Sequence, residues 1–233
     1  MSDSYRRNFL DLKMLHGLGG DPVWYPPELT DRPRLWPLDK WAEAPRGLGF
    51  PAFFQSHWRG VRLLKDPMTL SVYHNLLWEL RPRVIIETGV YSGGSLLWFR
   101  DITRAMGFDC QVIGIDNDLS RCQIPTSEMS NIVLYEGDLS DLESLEPLRS
   151  NTASPLLMID DAHCNSFNLM SWCVDNLLVR GDYFIIEDTM ASWQQYTPEL
   201  LVEYLAAFRD VFEMDMVYAN SCSQLERGVF RRI

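Results

Sequence analysis

The chain has 233 residues, of which 46% are hydrophobic, and carries a formal net charge of -11 with a pI near 4.8. That length allows one substantial buried core, and the acidic balance excludes a protein that tracks phosphates with clustered Lys and Arg, so a small-molecule substrate and no nucleic acid are expected. No apolar run is long enough to span a bilayer and the first residues lack the apolar segment of a secretory leader, so no membrane and a cytoplasmic location are expected.

Seven of the 13 prolines fall between Pro22 and Pro51, interleaved with Trp24, Tyr25, Trp36, Trp41 and Phe50. This composition predicts an N-terminal arm over residues 1–65 that packs on the main domain, lids a substrate or meets a second subunit, which makes a homo-oligomer an expectation. From Asp66 the pattern changes, and residues 66–233 are expected to form the catalytic domain. Leu70, Tyr73, Leu77 and Leu80 recur at helical spacing and predict a helix from Met68 to Leu80. Apolar runs follow at Val84 to Glu87, Gln111 to Asp116, Ile132 to Tyr135, Leu156 to Ile159 and Tyr183 to Ile186. Each ends in or runs into an acidic residue, as expected of buried parallel strands. Helices are expected between them at Ser95 to Met106, Leu142 to Leu148 and Phe167 to Val179, then a helix from Pro198 to Phe208 and strands near Met214 to Ala219 and Gly228 to Arg232. The alternation predicts an α/β fold, a Rossmann-like, doubly wound, mostly parallel sheet. Five cysteines without a Cys-x-x-Cys pair and four scattered histidines give no sign of a thiolate zinc site or a non-haem iron triad.

In such a sheet, ligands bind beyond the carboxyl ends of the strands. After Val84-Ile85-Ile86 comes Glu87-Thr88-Gly89-Val90-Tyr91-Ser92-Gly93-Gly94-Ser95, whose glycines let backbone approach a ligand and whose end opens a helix. A pyrophosphate loop would place glycine where Tyr91 stands, so NAD fits less well. Asp116 ends the next strand and can accept both hydroxyls of a ribose, and Asp138, after the third, can accept from the amine of adenine. Glu87, Gly89, Tyr91, Ser95, Asp116 and Asp138 are therefore the candidate nucleoside-cofactor residues.

The fourth strand runs into Asp160-Asp161-Ala162-His163 and the fifth into Glu187-Asp188. Carboxylates converging at adjacent strand ends repel one another, and a hard divalent cation with oxygen ligands resolves that, so Mg2+ is expected. Such an ion beside a nucleoside cofactor that donates a group can lower the pKa of a substrate hydroxyl and hold its oxygen for in-line attack. His163 in the same loop is the candidate proton acceptor.

These residues resemble the cephalosporin hydroxylase family. The likeness runs through Glu87-x-Gly89-x-Tyr91-x-Gly93-Gly94-Ser95, Ile113-Gly114-Ile115-Asp116, Ile159-Asp160-Asp161-Ala162-His163 and Ile186-Glu187-Asp188. It extends to arm segments such as Asn8-Phe9-Leu10-Asp11-Leu12, Leu29-Thr30-Asp31-Arg32-Pro33-Arg34 and Trp41-Ala42-Glu43-Ala44-Pro45-Arg46, which look like the family's cephamycin-biosynthesis branch. Despite the family's name, the resemblance implies a class I methyltransferase using S-adenosylmethionine (SAM), and in that branch 7-α-methoxylation of cephalosporins beside a partner biosynthetic enzyme. The expected activity is SAM-dependent, Mg2+-assisted O-methylation of a secondary metabolite: a 7-hydroxycephalosporin, a macrolide or polyketide, or a sugar. The alternative is a SAM-binding scaffold without methyl transfer. By likeness to catechol-type enzymes the metal ligands are Asp161, Glu187 and Asp188, with Asp160 the other candidate for the first position, and Asp161 and His163 are the candidate catalytic pair. Those enzymes carry a lysine base after the fourth strand, and this chain has none there.

Overall fold

The computed structural model describes residues 56–150, 153–162, 164–189, 198–221 and 223–233, which belong to one unit, Ser56–Ile233. The expectations for residues 1–55 lie outside the described residues, as does His163. The last ten residues of the expected arm form a short hairpin, β1 (His57–Trp58) and β2 (Val61–Arg62), turning at Arg59 and Gly60, both with positive φ. Helix α1 (Pro67–Leu80) starts where Asp66 accepts the N–H groups of Met68 and Thr69 at 2.7 and 3.0 Å, with Pro67 in the first turn. It stops at Arg81, which is left-handed and precedes Pro82, a neighbour that disfavours further helix.

The strands that follow are β3 (Val84–Thr88), β4 (Gln111–Asp116), β5 (Ile132–Glu136), β6 (Leu156–Asp160), β7 (Tyr183–Ile186), β8 (Phe212–Met214) and β9 (Val229–Arg232). They form one sheet in the order β5-β4-β3-β6-β7-β9-β8, parallel except for the pairings of β9 with β7 and β8. Helices α2 (Gly94–Ala105), α3 (Ser166–Asn176), α4 (Pro198–Ala206) and α5 (Met216–Ala219) connect them. The sheet is buried on both faces, and alternate residues of each strand serve opposite cores. Ile85, Val112, Leu157, Ile159 and Ile185 pack with α1, α2 and the hairpin, whereas Val84, Ile86, Ile113, Met158, Phe184 and Ile186 pack with α3 and the segment after β5.

Three expected elements differ. Leu142 to Leu148 is not α-helical but a 3-10 segment over Leu142–Ser150 containing Pro147, whose ring nitrogen cannot donate to an α ladder. The helix expected from Phe167 to Val179 ends at Asn176. The expected strand from Met214 to Ala219 splits in two: β8 ends at Met214, and Asp215 accepts the N–H of Val217 and starts α5. Among the described residues, no helix is long and apolar enough to cross a membrane.

Candidate active site

The sheet order places β4 and β5 on one side of β3, and β6 and β7 on the other, so the connections after β3 and β6 diverge and open a crevice at the carboxyl edge. Strand parity decides what faces it. Glu87 lies two residues beyond Ile85, Asp161 two beyond Ile159 and Glu187 two beyond Ile185, so all three share the α1 and hairpin face. The ladder persists beyond β6 and β7, with Asp161 N–H donating to the Thr88 carbonyl and Glu187 N–H to that of Asp160, each at 3.0 Å. The result is a group of carboxylate oxygens from Glu87, Asp161 and Glu187 lying within 4.8 Å of one another.

Asp160 has the opposite parity. It is fully buried and accepts the Thr88 hydroxyl at 3.0 Å and the Ala162 N–H at 3.4 Å. Of the two candidate first ligands, the geometry thus brings Asp161 into the acidic group. Asp188 is half-buried, has a φ of 47° and is not among the three grouped residues.

The residue that the sequence did not point to is Lys65. Its ammonium is 1% exposed and lies 2.7 Å from Glu187 Oε1, 3.1 Å from Glu87 Oε1 and 3.1 Å from Asp161 Oδ2. The Tyr73 hydroxyl, from α1, also donates to Glu187 Oε1. Burial pushes the Lys65 pKa down, but the charges of Asp161, Glu187 and Glu87 outweigh it and hold the ammonium well above its ordinary range. Burial and the Asp161 charge push Glu187 up to about 8 against the pull of Lys65, and burial raises Glu87 as well. One ammonium therefore leaves the three acids mutually repelled, and their hard oxygens suit a further divalent cation.

Lys65 is delivered by rigid structure. Leu63 N–H donates to the Ser56 carbonyl at 2.9 Å, Asp66 caps α1, and the Asp66 N–H donates to Gln224 Oε1 at 3.1 Å. The hairpin is clasped to α2 by Trp58 Nε1–H on Asp101 at 2.9 Å and by Arg59 on Asp101 at 3.6 Å, while Arg59 and the buried Arg100 of α2 both pair with Glu128. Gly94 is what lets it sit there, because a Cβ would lie 2.0 Å from the Arg62 carbonyl oxygen.

On the cofactor side, Ser95 Oγ donates to Glu87 Oε2 at 2.5 Å, fixing that carboxylate between α2 and Lys65. Tyr91, at φ 48°, donates its N–H to Asp116 Oδ2 at 2.9 Å, and Asp118 N–H donates to Asp116 Oδ1 at 3.0 Å. The Asp116 carboxylate is half-buried and fixed in orientation, with lone pairs left to accept hydroxyls. Asp138 is exposed and accepts the Ser140 N–H at 2.8 Å, the local turn that its position allows. The glycines were expected to clear room for a ligand; at Gly89 and Gly94 the space of a missing Cβ is taken by protein. At Gly89, with φ 88°, a Cβ would lie 2.6 Å from the Asp161 carbonyl oxygen, so this glycine is what lets the loops after β3 and β6 touch.

A family model described as rhamnosyl O-methyltransferase/CmcI matches residues 52–220. The rhamnosyl O-methyltransferase of Mycobacterium tuberculosis (strain ATCC 25618 / H37Rv) is 24% identical over 164 residues, 67% of each chain. That of Mycobacterium leprae (strain TN) is 26% identical over 149 residues, covering 60% of this chain and 63% of its own. Among solved structures, CmcI described with Mg and SAM is 64% identical over the whole of both chains, with a TM-score of 0.80. CmcI with the demethylated product S-adenosylhomocysteine (SAH) is 62% identical over 91% of this chain and 100% of its own, with a TM-score of 0.74.

Proposed function

The chain belongs to the rhamnosyl O-methyltransferase/CmcI family and is a SAM-dependent O-methyltransferase; on that premise we propose that it methylates a hydroxyl of a small-molecule secondary metabolite with Mg2+ at the acidic rim. The observation that carries this reading is the grouping of Glu87, Asp161 and Glu187 at the carboxyl edge, one strand away from the carboxylate of Asp116. The residues fit both groups. Oxygen donors that remain mutually repelled despite Lys65 suit Mg2+, and a carboxylate oriented by the Tyr91 amide suits a ribose.

In this reading Asp161 and Glu187, with the adjacent Asp188, hold the metal, and Glu87, Gly89, Tyr91, Ser95, Asp116 and Asp138 line the donor site. When bound, Mg2+ lowers the pKa of the acceptor hydroxyl and fixes its oxygen for in-line attack on the sulfonium methyl. The protein's own part is positional. Lys65 and Tyr73 hold Glu187 in one orientation, and Ser95 does the same for Glu87. His163, which follows Ala162, is the proposed acceptor of the hydroxyl proton. The family's pairing of CmcI with rhamnosyl methyltransferases supports a hydroxylated antibiotic-like or glycosidic acceptor.

The test is to titrate the folded protein with SAM calorimetrically and then follow SAH release with a panel of hydroxylated acceptors, with Mg2+ or with chelator. Binding of SAM, turnover with Mg2+ and loss of turnover in chelator are expected. Absence of SAM binding, or turnover indifferent to chelator, contradicts the reading; SAM binding without SAH release for any acceptor favours a scaffold.

A further inference from the structure

Lys65 carries a consequence beyond the family's activity. Two carboxylates that water does not reach, Glu87 and Glu187 at 0% exposure, and the half-buried Asp161 at 21% surround one ammonium on a side chain that is itself 1% exposed. A cation centred on that trio would have to occupy the place of Nζ. The lysine offsets one carboxylate charge of the trio, and a divalent ion bound beside it would favour the ionised form of the others. Lys65 is one of only three lysines in a chain with 18 arginines and the only one after Lys40. The choice suits the space, because an ammonium is a compact point donor whereas a guanidinium is a broad planar fork that three converging acids could not enclose at 2.7 to 3.1 Å.

We propose that Lys65 is a positioning residue, a resident cation that occupies the space between Glu87 and Glu187, keeps the divalent ion out of it and so confines that ion to the Asp161 and Glu187 side. Glu87 is thereby kept for the donor loop, where Ser95 already holds its other oxygen. The hairpin, clasped to α2 and seated on Gly94, makes the lysine part of the scaffold and not a mobile competitor.

This inference rests on the reading that a divalent cation binds at the acidic rim, and the two fail separately. Mn2+ affinity and stoichiometry are measured by calorimetry and electron paramagnetic resonance on the wild type, Lys65→Met, Glu87→Gln and the double variant Lys65→Met/Glu87→Gln. In Lys65→Met the trio becomes an open oxygen cage that has lost its one positive charge. Mn2+ is expected to bind about tenfold tighter or with a second equivalent, while turnover drops by about tenfold because the ion is no longer held to one side. Relief of charge repulsion alone would tighten Mn2+ binding and leave turnover unchanged or higher, so tighter or additional Mn2+ binding together with the loss of turnover is the diagnostic result. Should Lys65→Met fail to fold without metal, the comparison of the double variant with Glu87→Gln carries the same test, since the lysine and one acid are removed together; tighter Mn2+ binding in the double variant is expected. Folded Lys65 variants whose Mn2+ affinity and stoichiometry equal or fall below their Lys65 counterparts overturn the inference. A wild type that binds no Mn2+ at all sinks the metal reading itself.

Discussion

Strand β7 is bracketed by two acids that water does not reach, Asp182 before it and Glu187 after it, both at 0% exposure. Asp182 is surrounded by neutral donors of its own neighbourhood: the Ser154 hydroxyl at 2.7 Å, the Leu156 N–H at 2.9 Å and the Val179 N–H at 2.8 Å. Glu187 is surrounded by charge, with Lys65 and Tyr73 on one oxygen, and its burial together with the charges of Asp161 and Glu87 pushes its pKa up to about 8. Burial is the same at the two ends; the partners differ. The amino-end acid closes the hydrogen bonds of chain turns and is complete. The carboxyl-end acid is held in tension with others of its sign, the arrangement that a metal and a cationic donor relieve.

The comparison can be broken at either end. The largest effect is expected for Glu187→Gln, which keeps shape and removes charge: turnover should fall by about a thousandfold or more while SAH affinity stays nearly intact, as read by steady-state kinetics and calorimetry. Asp182→Ala should do the converse. Three donors, one of them the buried Leu156 N–H, lose a charged acceptor, costing about 3 kcal/mol and lowering Tm by roughly 6 °C or more for a domain of this size, with turnover per folded molecule unchanged. Asp182→Asn sharpens the point, since the Oδ1 that serves Ser154 and Leu156 is retained and only the Val179 contact is lost; a loss of about 1 to 2 kcal/mol is expected from denaturant titration. The smallest effect belongs to Arg59→Ala on the exposed rim of the hairpin clasp, where Trp58 and Arg100 still hold Asp101, and thermal unfolding should register no change. If Asp182→Asn impaired turnover as much as Glu187→Gln, the division between structural and functional ends would fail.

Much of the sheet was legible because a strand buried on both faces leaves a continuous apolar run, and Val84 to Glu87, Gln111 to Asp116 and Tyr183 to Ile186 all match observed strands to within a residue. Met214 to Ala219 departs from the expected strand because Asp215, as a helix cap, interrupts a run whose Val and Tyr also suit a strand. Parity along the strands already separates Asp161 from Asp160, since only Asp161 shares a face with Glu87 and Glu187; that signal was present in the residues and lies behind the observed group. Lys65 is a different case. Its partner Glu187 is 122 residues away, and no local motif announces a contact made by a hairpin crossing the start of a helix. The scarcity of lysine was the one available hint.

The central claim, metal-assisted methyl transfer at the carboxyl edge, is tested most directly by titrating Mn2+ into the SAH-saturated protein and into Glu187→Gln, with electron paramagnetic resonance as the readout. The account predicts one bound ion in the wild type and loss of that ion in Glu187→Gln, both proteins still holding SAH. Equal Mn2+ binding by the two, or none by the folded wild type, would contradict it.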